Sequence, residues 1–369
     1  MNKILFSNPR INTQKTLSII KKALKKSFPN EGDQTNEFEK KLKKLLKVKY
    51  VVATNSGTVA LFLALKANDI KKGDEVLVPN ITFPATANAV LMAGGKPVLV
   101  DVDPMNLLIN EKSLLKNINR KTKFVIPVHI SGRGSNIKKI LKICKNKNLK
   151  IIEDAAEALF SKFENKYLGS FSNTGCFSFA PNKIITTGQG GAVVTNKKKI
   201  YLNLLKLKDQ GRTASRVIGQ EDDYNKEGYN FKFTNLQSSL GISQLTDINW
   251  RKKKLIKIHK FYNKNINQNS NFRLIKFRLA EGELPLWTDV FCSKRKKLFI
   301  FLKKRGITCR VFWKPLNKCS LFKKSFANFP NSKKLQQKLM WLPSSLTLSL
   351  KKQKRICNLI NSFLEKNYN

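Results

Sequence analysis

Lys183 is the one charged residue between Tyr167 and Asn196, in a chain where 26% of residues are charged. It sits in CFSFAPNKIITTGQGG, residues 176–191, among Phe177, Phe179 and Pro181 and ahead of Gly188, Gly190 and Gly191. Desolvation in such a setting disfavours an ammonium ion. A lysine that can shed its proton is a nucleophile able to form a Schiff base with a carbonyl. The same residues also fit a plainer role, a buried lysine whose stem lies on apolar surface beside a glycine turn.

Two further segments carry complementary chemistry. TNSGTVAL, residues 54–61, runs from an apolar stretch into a helical one. Its small residues, Gly57 and Thr58 among them, let backbone approach a ligand, and the free N–H groups of a helix start attract phosphate. Any tight strand-to-helix turn uses such residues, so alone the segment says little. IIEDAAEAL, residues 151–159, puts Asp154 at the C-terminal end of an apolar run, where open α/β sheets place their ligands. An acid there can equally cap the helix that follows. Taken with Ser178, five residues before Lys183, the three segments meet the needs of pyridoxal 5'-phosphate. That cofactor requires a lysine for attachment, a carboxylate that keeps its pyridine nitrogen protonated, and a phosphate cradle.

The elements that must position these residues follow from periodicity. Short runs rich in Val and Ile at 50–54, 75–79, 96–102, 123–128, 150–154, 176–179 and 191–196 read as buried strands. Between them, segments 58–67, 86–94 and 136–146 repeat their apolar residues at three and four, as helices do. This alternation predicts an α/β fold with a central, mostly parallel seven-stranded sheet flanked by helices. The long polar-apolar pattern from Asn235 to Asn265 reads as helical. The expected organisation is an N-terminal helical segment, 1–47, packing on a large α/β domain, 48–245, followed by a linking helix and a smaller α+β domain, 246–369.

The formal charge is 71 minus 24, or +47, which taken alone invites a polyanionic partner. The lysines are scattered over nearly every polar segment and form no single basic arm, so no nucleic-acid partner is expected. Six cysteines show no CxxC spacing, and the two histidines, His129 and His259, stand far apart; neither a metal site nor a disulfide framework is indicated. The N-terminal residues lack the apolar core of a signal peptide, and no run of 18 apolar residues occurs, so a cytoplasmic protein without membrane insertion is expected.

At this point the chain resembles the DegT/DnrJ/EryC1/StrS sugar aminotransferases, within fold type I of the pyridoxal-phosphate enzymes. The resemblance rests on EFEKKL (37–42), SGTVAL (56–61), GDEVLVPNITFPATANAVLMAG (73–94), VDVDP (100–104), PVHISG (127–132), IEDAAEA (152–158), SFAPNKIITTGQGG (178–191), EGYNFKFTNLQSSLGISQL (227–245) and RGITCRVFWKPL (305–316). It implies that Lys183 attaches the cofactor and moves the proton during transamination, and that Asp154 partners the ring nitrogen. It also implies that Phe83 stacks on the ring, that Gly57, Thr58 and Ser178 cradle the phosphate, and that Glu157 lies near the ring's phenolic oxygen. Asn230 matches a residue that reaches the neighbouring subunit's phosphate, which implies a homodimer with shared active sites.

Two positions depart from the family pattern: Lys232 stands where an arginine is usual, and PVHISGRG replaces a PVHLYG-type segment, with His129 read as structural. One branch of the family carries histidine in place of the lysine and performs dehydration; Lys183 argues against that branch. The implied reaction moves an amino group from L-glutamate to a nucleotide-linked 4-keto-6-deoxyhexose for a surface polysaccharide. The AEAL, NKIITTG and FWKPL segments, the last with Trp313, look closest to enzymes making perosamine or the 4-amino precursor of legionaminic-type sugars. Amination at C3, or of another keto substrate such as an inosose, is the near alternative. A basic nucleic-acid-binding or regulatory protein on the same fold is the remote one.

Overall fold

A computed structural model of the chain describes residues 3–25, 29–134, 137–212, 223–224, 226–322 and 328–368. Two N-terminal helices, α1 (Thr13–Lys25) and α2 (Asp33–Leu46), precede the first strand, β1 (Tyr50–Thr54). Then follow α3 (Gly57–Ala67), β2 (Glu75–Pro79), α4 (Ala85–Met92), β3 (Lys96–Val100), α5 (Glu111–Asn117), β4 (Thr122–Val125), α6 (Ile137–Asn146) and β5 (Lys150–Asp154). A short hairpin, β6 (Lys162–Phe163) and β7 (Lys166–Tyr167), leads to β8 (Thr174–Ser178), β9 (Gly191–Thr195) and α7 (Lys198–Lys208). The order across the seven-stranded sheet is β1-β9-β8-β5-β4-β2-β3.

Every strand of that sheet runs parallel except β9, which is antiparallel to both β8 and β1. The exception matters for function. A parallel connection needs a crossover, whereas an antiparallel one can return directly, so residues 179–190 form a loop that leaves the sheet at Ser178 and re-enters beside it at Gly191. Lys183 rides on that loop. The seven expected strands lie where the apolar runs placed them, within a few residues at their ends.

Helix α3 begins at Ser56, whose side chain accepts from the Val59 N–H at 3.2 Å. It is apolar almost all round, with Val59 to Leu65 and Ala67 all buried, as befits a helix packed on the sheet and enclosed by α4 and α7. The stretch from Asn235 to Asn265 is helical, as two helices, α8 (Asn235–Leu245) and α9 (Ile248–Asn265). Helix α8 starts with a reciprocal capping box between Thr234 and Gln237. At the break, the Asp247 carboxylate turns to Arg251 and Arg10 instead of continuing the helical surface.

A second, antiparallel sheet takes β10 (Phe272–Leu274), β11 (Thr288–Cys292), β12 (Arg310–Val311) and β13 (Leu339–Leu342) in the order β10-β11-β13-β12. Helices α10 (Arg295–Lys304), α11 (Pro330–Leu335) and α12 (Leu350–Tyr368) complete this half. The chain start also reaches it: Ile4 bridges to Ile307, and Phe6 accepts from the Ser344 N–H at 3.0 Å. Among the described residues no helix is long and apolar enough to cross a membrane.

Helix α2 supports the lysine loop through one ring. Phe38, fully buried, meets Phe179 edge-on at 5.3 Å and stacks on Phe233 at 5.8 Å. Gly241 of α8 makes room for that ring, since a Cβ there would lie 2.5 Å from it. Alanine in a helix is ordinarily preferred over glycine by about 1 kcal/mol. Here the overlap should reverse the preference, because overpacking a core typically costs about 1–3 kcal/mol. Gly241→Ala is therefore expected to lower the denaturant midpoint. A higher midpoint would show that the ring is not wedged as described.

Candidate active site

The site collects residues from the ends of several strands of the large sheet. Asp154 ends β5, Ser178 ends β8, and Gly57 opens α3 just beyond β1. A Cβ on Gly57 would come within 2.8 Å of the Ser178 Cβ, and one on Gly191 within 2.4 Å of the Ser56 carbonyl oxygen, so these strand ends are in direct backbone contact. The Gly57 and Thr58 N–H groups have no hydrogen-bond partner among the described residues. This is the local arrangement in which a helix start can bind an anion.

Asp154 is buried. Its Oδ2 accepts from the Thr86 hydroxyl at 2.8 Å and its Oδ1 from the Ala156 N–H at 3.1 Å. Burial pushes its carboxyl above the ordinary aspartate value, against the pull of those hydrogen bonds and of the Lys183 and His129 charges. Thr86 in turn ties Phe83 to the site, because its N–H donates to the Phe83 carbonyl at 3.2 Å. The Phe83 ring itself is 50% exposed and stands 5.9 Å from Trp313.

Lys183, alone in its local sequence, is not alone in space. Its Nζ lies 3.3 Å from Glu157 Oε1 and 5.0 Å from the centre of the Trp287 ring. Glu157 Oε2 accepts from the Ser131 N–H at 2.8 Å. Burial raises the Glu157 carboxyl, while Lys183 and the Ser131 N–H lower it and the nearby Asp289 charge raises it further. Glu157, Ser178 and Lys183 line one small cavity with Leu284 and Leu286.

The loop that carries Lys183 is clamped from outside. Gln244 of α8 both donates to the Thr186 carbonyl, at 2.6 Å, and accepts from the Thr186 N–H, at 3.1 Å. Arg251 of α9 donates to the Ile184 carbonyl at 3.0 Å. His129 lies beside Asp154 but pairs with Glu153, its Nε2 2.9 Å from Oε2. Glu153 is fully buried and also accepts from the Gly169, Phe171 and Ser172 N–H groups; against the rise that burial imposes, His129 first and then the Gly169 and Ser172 N–H groups hold its carboxyl below the ordinary value.

Asn230 stands apart from this cluster. It is exposed and bridges the backbone of Asp209, and among the described residues it shares no hydrogen bond with Lys183, Asp154 or Ser178. Lys232 is ion-paired with Asp209. Thr86, Ser131 and Trp287 were not picked out by their sequence. Thr86 and Ser131 stand within motifs as ordinary polar residues and Trp287 lies outside them, and only folding brings the three to the carboxylates and the lysine.

The chain matches the family described as the DegT/DnrJ/EryC1/StrS aminotransferase family over residues 11–361. It belongs to that family. GDP-perosamine synthase of Escherichia coli O157:H7 is 33% identical over 343 residues, covering 90% of this chain and 91% of that protein. A Campylobacter jejuni UDP-4-amino-4,6-dideoxy-N-acetyl-beta-L-altrosamine transaminase is 31% identical over 373 residues, covering 98% of each. Among solved structures, Helicobacter pylori PseC, an aminotransferase involved in the biosynthesis of pseudoaminic acid, superposes with a TM-score of 0.92 at 26% identity, covering 99% of this chain and 100% of that one.

As a member of the DegT/DnrJ/EryC1/StrS family the protein is a sugar aminotransferase, and it uses pyridoxal phosphate. The residues present fit that cofactor on structural grounds. Asp154 is a buried carboxylate that no cation touches directly among the described residues, so it suits a pyridinium N–H. The Gly57–Ser178 contact leaves room for no side chain and offers unpaired N–H groups to a phosphate.

A raised carboxyl binds its proton more tightly in the folded than in the unfolded chain. Its stabilising contribution is therefore present below the unfolded value, about 4, and is lost as pH rises through the folded value. Asp154→Asn removes this loss. In cofactor-free protein the melting point of the variant relative to wild type should rise as pH increases from about 4. A flat or falling difference would contradict the burial argument.

Proposed function

We propose that the protein transfers an amino group from L-glutamate to the C4 carbon of a nucleotide-linked 4-keto-6-deoxyhexose, giving a 4-amino-4,6-dideoxy sugar for a surface polysaccharide. The observation that carries this reading is the Lys183 Nζ held 3.3 Å from Glu157 in a site that also buries Asp154. The substrate class is supported by the relatives, of which one is named for a GDP sugar and another for a UDP-linked 4-amino-4,6-dideoxy sugar. The nucleotide carried by this protein's substrate is left open between them.

Pyridoxal phosphate, when bound, carries the amino group between the two substrates and delocalises the electron pair left by loss of the donor's α-proton. The rest is the work of side chains. Lys183 holds the cofactor at rest and afterwards takes the α-proton on Nζ as a general base. Glu157, beside Nζ, orients the lysine and favours its protonated form once the proton has arrived. Asp154 supplies the negative charge facing the pyridine nitrogen. Gly57, Thr58 and Ser178 take the phosphate, and Phe83, exposed at the edge of the site, covers the ring.

The reading extends to a cytoplasmic homodimer with shared active sites. Asn230 supports it: the residue is exposed and separate from its own chain's lysine cluster, as a group serving a neighbouring site should be.

Purified protein given pyridoxal phosphate should develop a visible absorbance band, glutamate should bleach it, and nucleotide-linked 4-keto sugars should restore it. Lys183→Ala should lose the band while keeping its far-ultraviolet circular dichroism, and its turnover should fall by at least about 10²–10⁴-fold, the usual worth of a general base. Restoration by 3-keto sugars in preference to 4-keto sugars would move the assignment to C3. A wild-type protein that never takes up the cofactor would end the reading.

A further inference from the structure

Behind the lysine lies a buried chain of polar contacts that reaches the second sheet. Glu157 accepts from the Ser131 N–H at 2.8 Å. The Ser131 hydroxyl donates to Asp289 Oδ1 at 2.9 Å and accepts from the Trp341 indole N–H at 3.3 Å, and its carbonyl accepts from the Leu286 N–H at 3.0 Å. Asp289, on β11, is ion-paired with Arg133. Ser131, Arg133 and Asp289 are all at most 1% exposed. Burial raises the Asp289 carboxyl, and the Arg133 charge with the hydrogen bonds works against that rise.

The backbone at Ser131 is the informative detail. Its φ is +53°, in the left-handed region that costs a non-glycine residue roughly 1–2 kcal/mol. Such a conformation persists only where the surroundings over-determine it. Here the N–H, the hydroxyl and the carbonyl of Ser131 are each engaged, and the partners come from three segments: Glu157, Leu286 with Asp289, and Trp341. The hydroxyl bonds to Asp289 and Trp341 hold the residue in the one backbone conformation that points its N–H at Glu157. Without them the residue can relax toward an ordinary conformation and withdraw that N–H.

We infer that Ser131 and Asp289 are positioning residues for the Lys183–Glu157 pair: the second sheet, through Asp289 and the strained Ser131 backbone, fixes the carboxylate that faces the lysine Nζ. The inference rests on the proposed role of Lys183, yet it concerns the protein's own side chains and can be read without cofactor. Removing the Ser131 hydroxyl should loosen Glu157, weaken its hold on the Lys183 ammonium, and expose a more reactive amine. Asp154 and the Trp287 ring, the other groups near Nζ, are left in place by that change.

The experiment is reductive methylation of the full-length, cofactor-free protein at a single mildly alkaline pH, with the rate at Lys183 read by peptide mass spectrometry and the other lysines as internal standards. Ser131→Ala should raise the Lys183 rate about three- to ten-fold. Ser131→Gly loses the hydroxymethyl group but tolerates the left-handed backbone, so its rate should fall between wild type and Ser131→Ala. Glu157→Gln should raise the rate at least as much as Ser131→Ala, and adding Ser131→Ala to it should change little further.

A Lys183 rate unchanged in Ser131→Ala, whatever happens to the melting point, would make Ser131 a purely structural residue and overturn the inference. If Ser131→Ala does not fold, the comparison of Ser131→Gly with wild type decides alone, and equal rates refute. Failure of the cofactor reading would appear separately, as a wild-type protein that forms no visible band.

Discussion

A carboxylate taken out of water must be met by cations or hydrogen-bond donors, or it takes up a proton instead. Asp154, Glu157 and Asp289 are all buried, and much of the surrounding structure can be understood as the means of meeting them. Asp289 receives a guanidinium and a hydroxyl, Glu157 an ammonium and a backbone N–H, Asp154 a hydroxyl and a backbone N–H. Only the last is left without direct cationic contact among the described residues, and it is the one that a protonated ring would complete. The burial that makes these groups costly also makes them responsive, because in a low-dielectric site a small movement of a partner changes the interaction strongly.

The topology serves the same end. The single antiparallel strand, β9, lets the chain leave and re-enter the sheet at adjacent positions, so the lysine loop is closed on itself instead of feeding a crossover helix. Three outside side chains, Gln237, Gln244 and Arg251, then hold that loop by its main chain. The N-terminal helices contribute through Phe38, which packs against Phe179 just before the lysine. Residues distant in sequence thus define where one amine stands, and none of them touches it.

Much of this could be read in the sequence, for identifiable reasons. The strands were legible because buried parallel strands are unbroken runs of Val and Ile, and Lys183 was legible because a charge without charged neighbours is rare in so basic a chain. Asp154 stood out as an acid at a strand end. What could not be read were pairings between separate segments: Thr86 with Asp154, Ser131 with Asp289, Trp287 over Lys183. Their partners lie 68 and 158 residues away in the two hydrogen-bonded cases, and no local pattern marks a serine or threonine as a partner. The cause of the break between α8 and α9, the turn of Asp247 toward Arg10 and Arg251, is again a contact made in space. The isolation that made Lys183 conspicuous was itself a property of the local chain, since Glu157 closes on it from another segment.

The contact between Gly57 and Ser178 has one more implication. The groups offered there are peptide N–H bonds and a hydroxyl, none of which gains or loses a proton over the range in which proteins work. An anion gripped by them is held to an extent set by its own ionisation and not by the protein's. Fixed dipoles at close range are also screened by dissolved salt far less than separated surface charges are. In a chain with 71 basic residues, these groups would therefore offer an anion a grip that follows the anion's own ionisation and depends little on ionic strength.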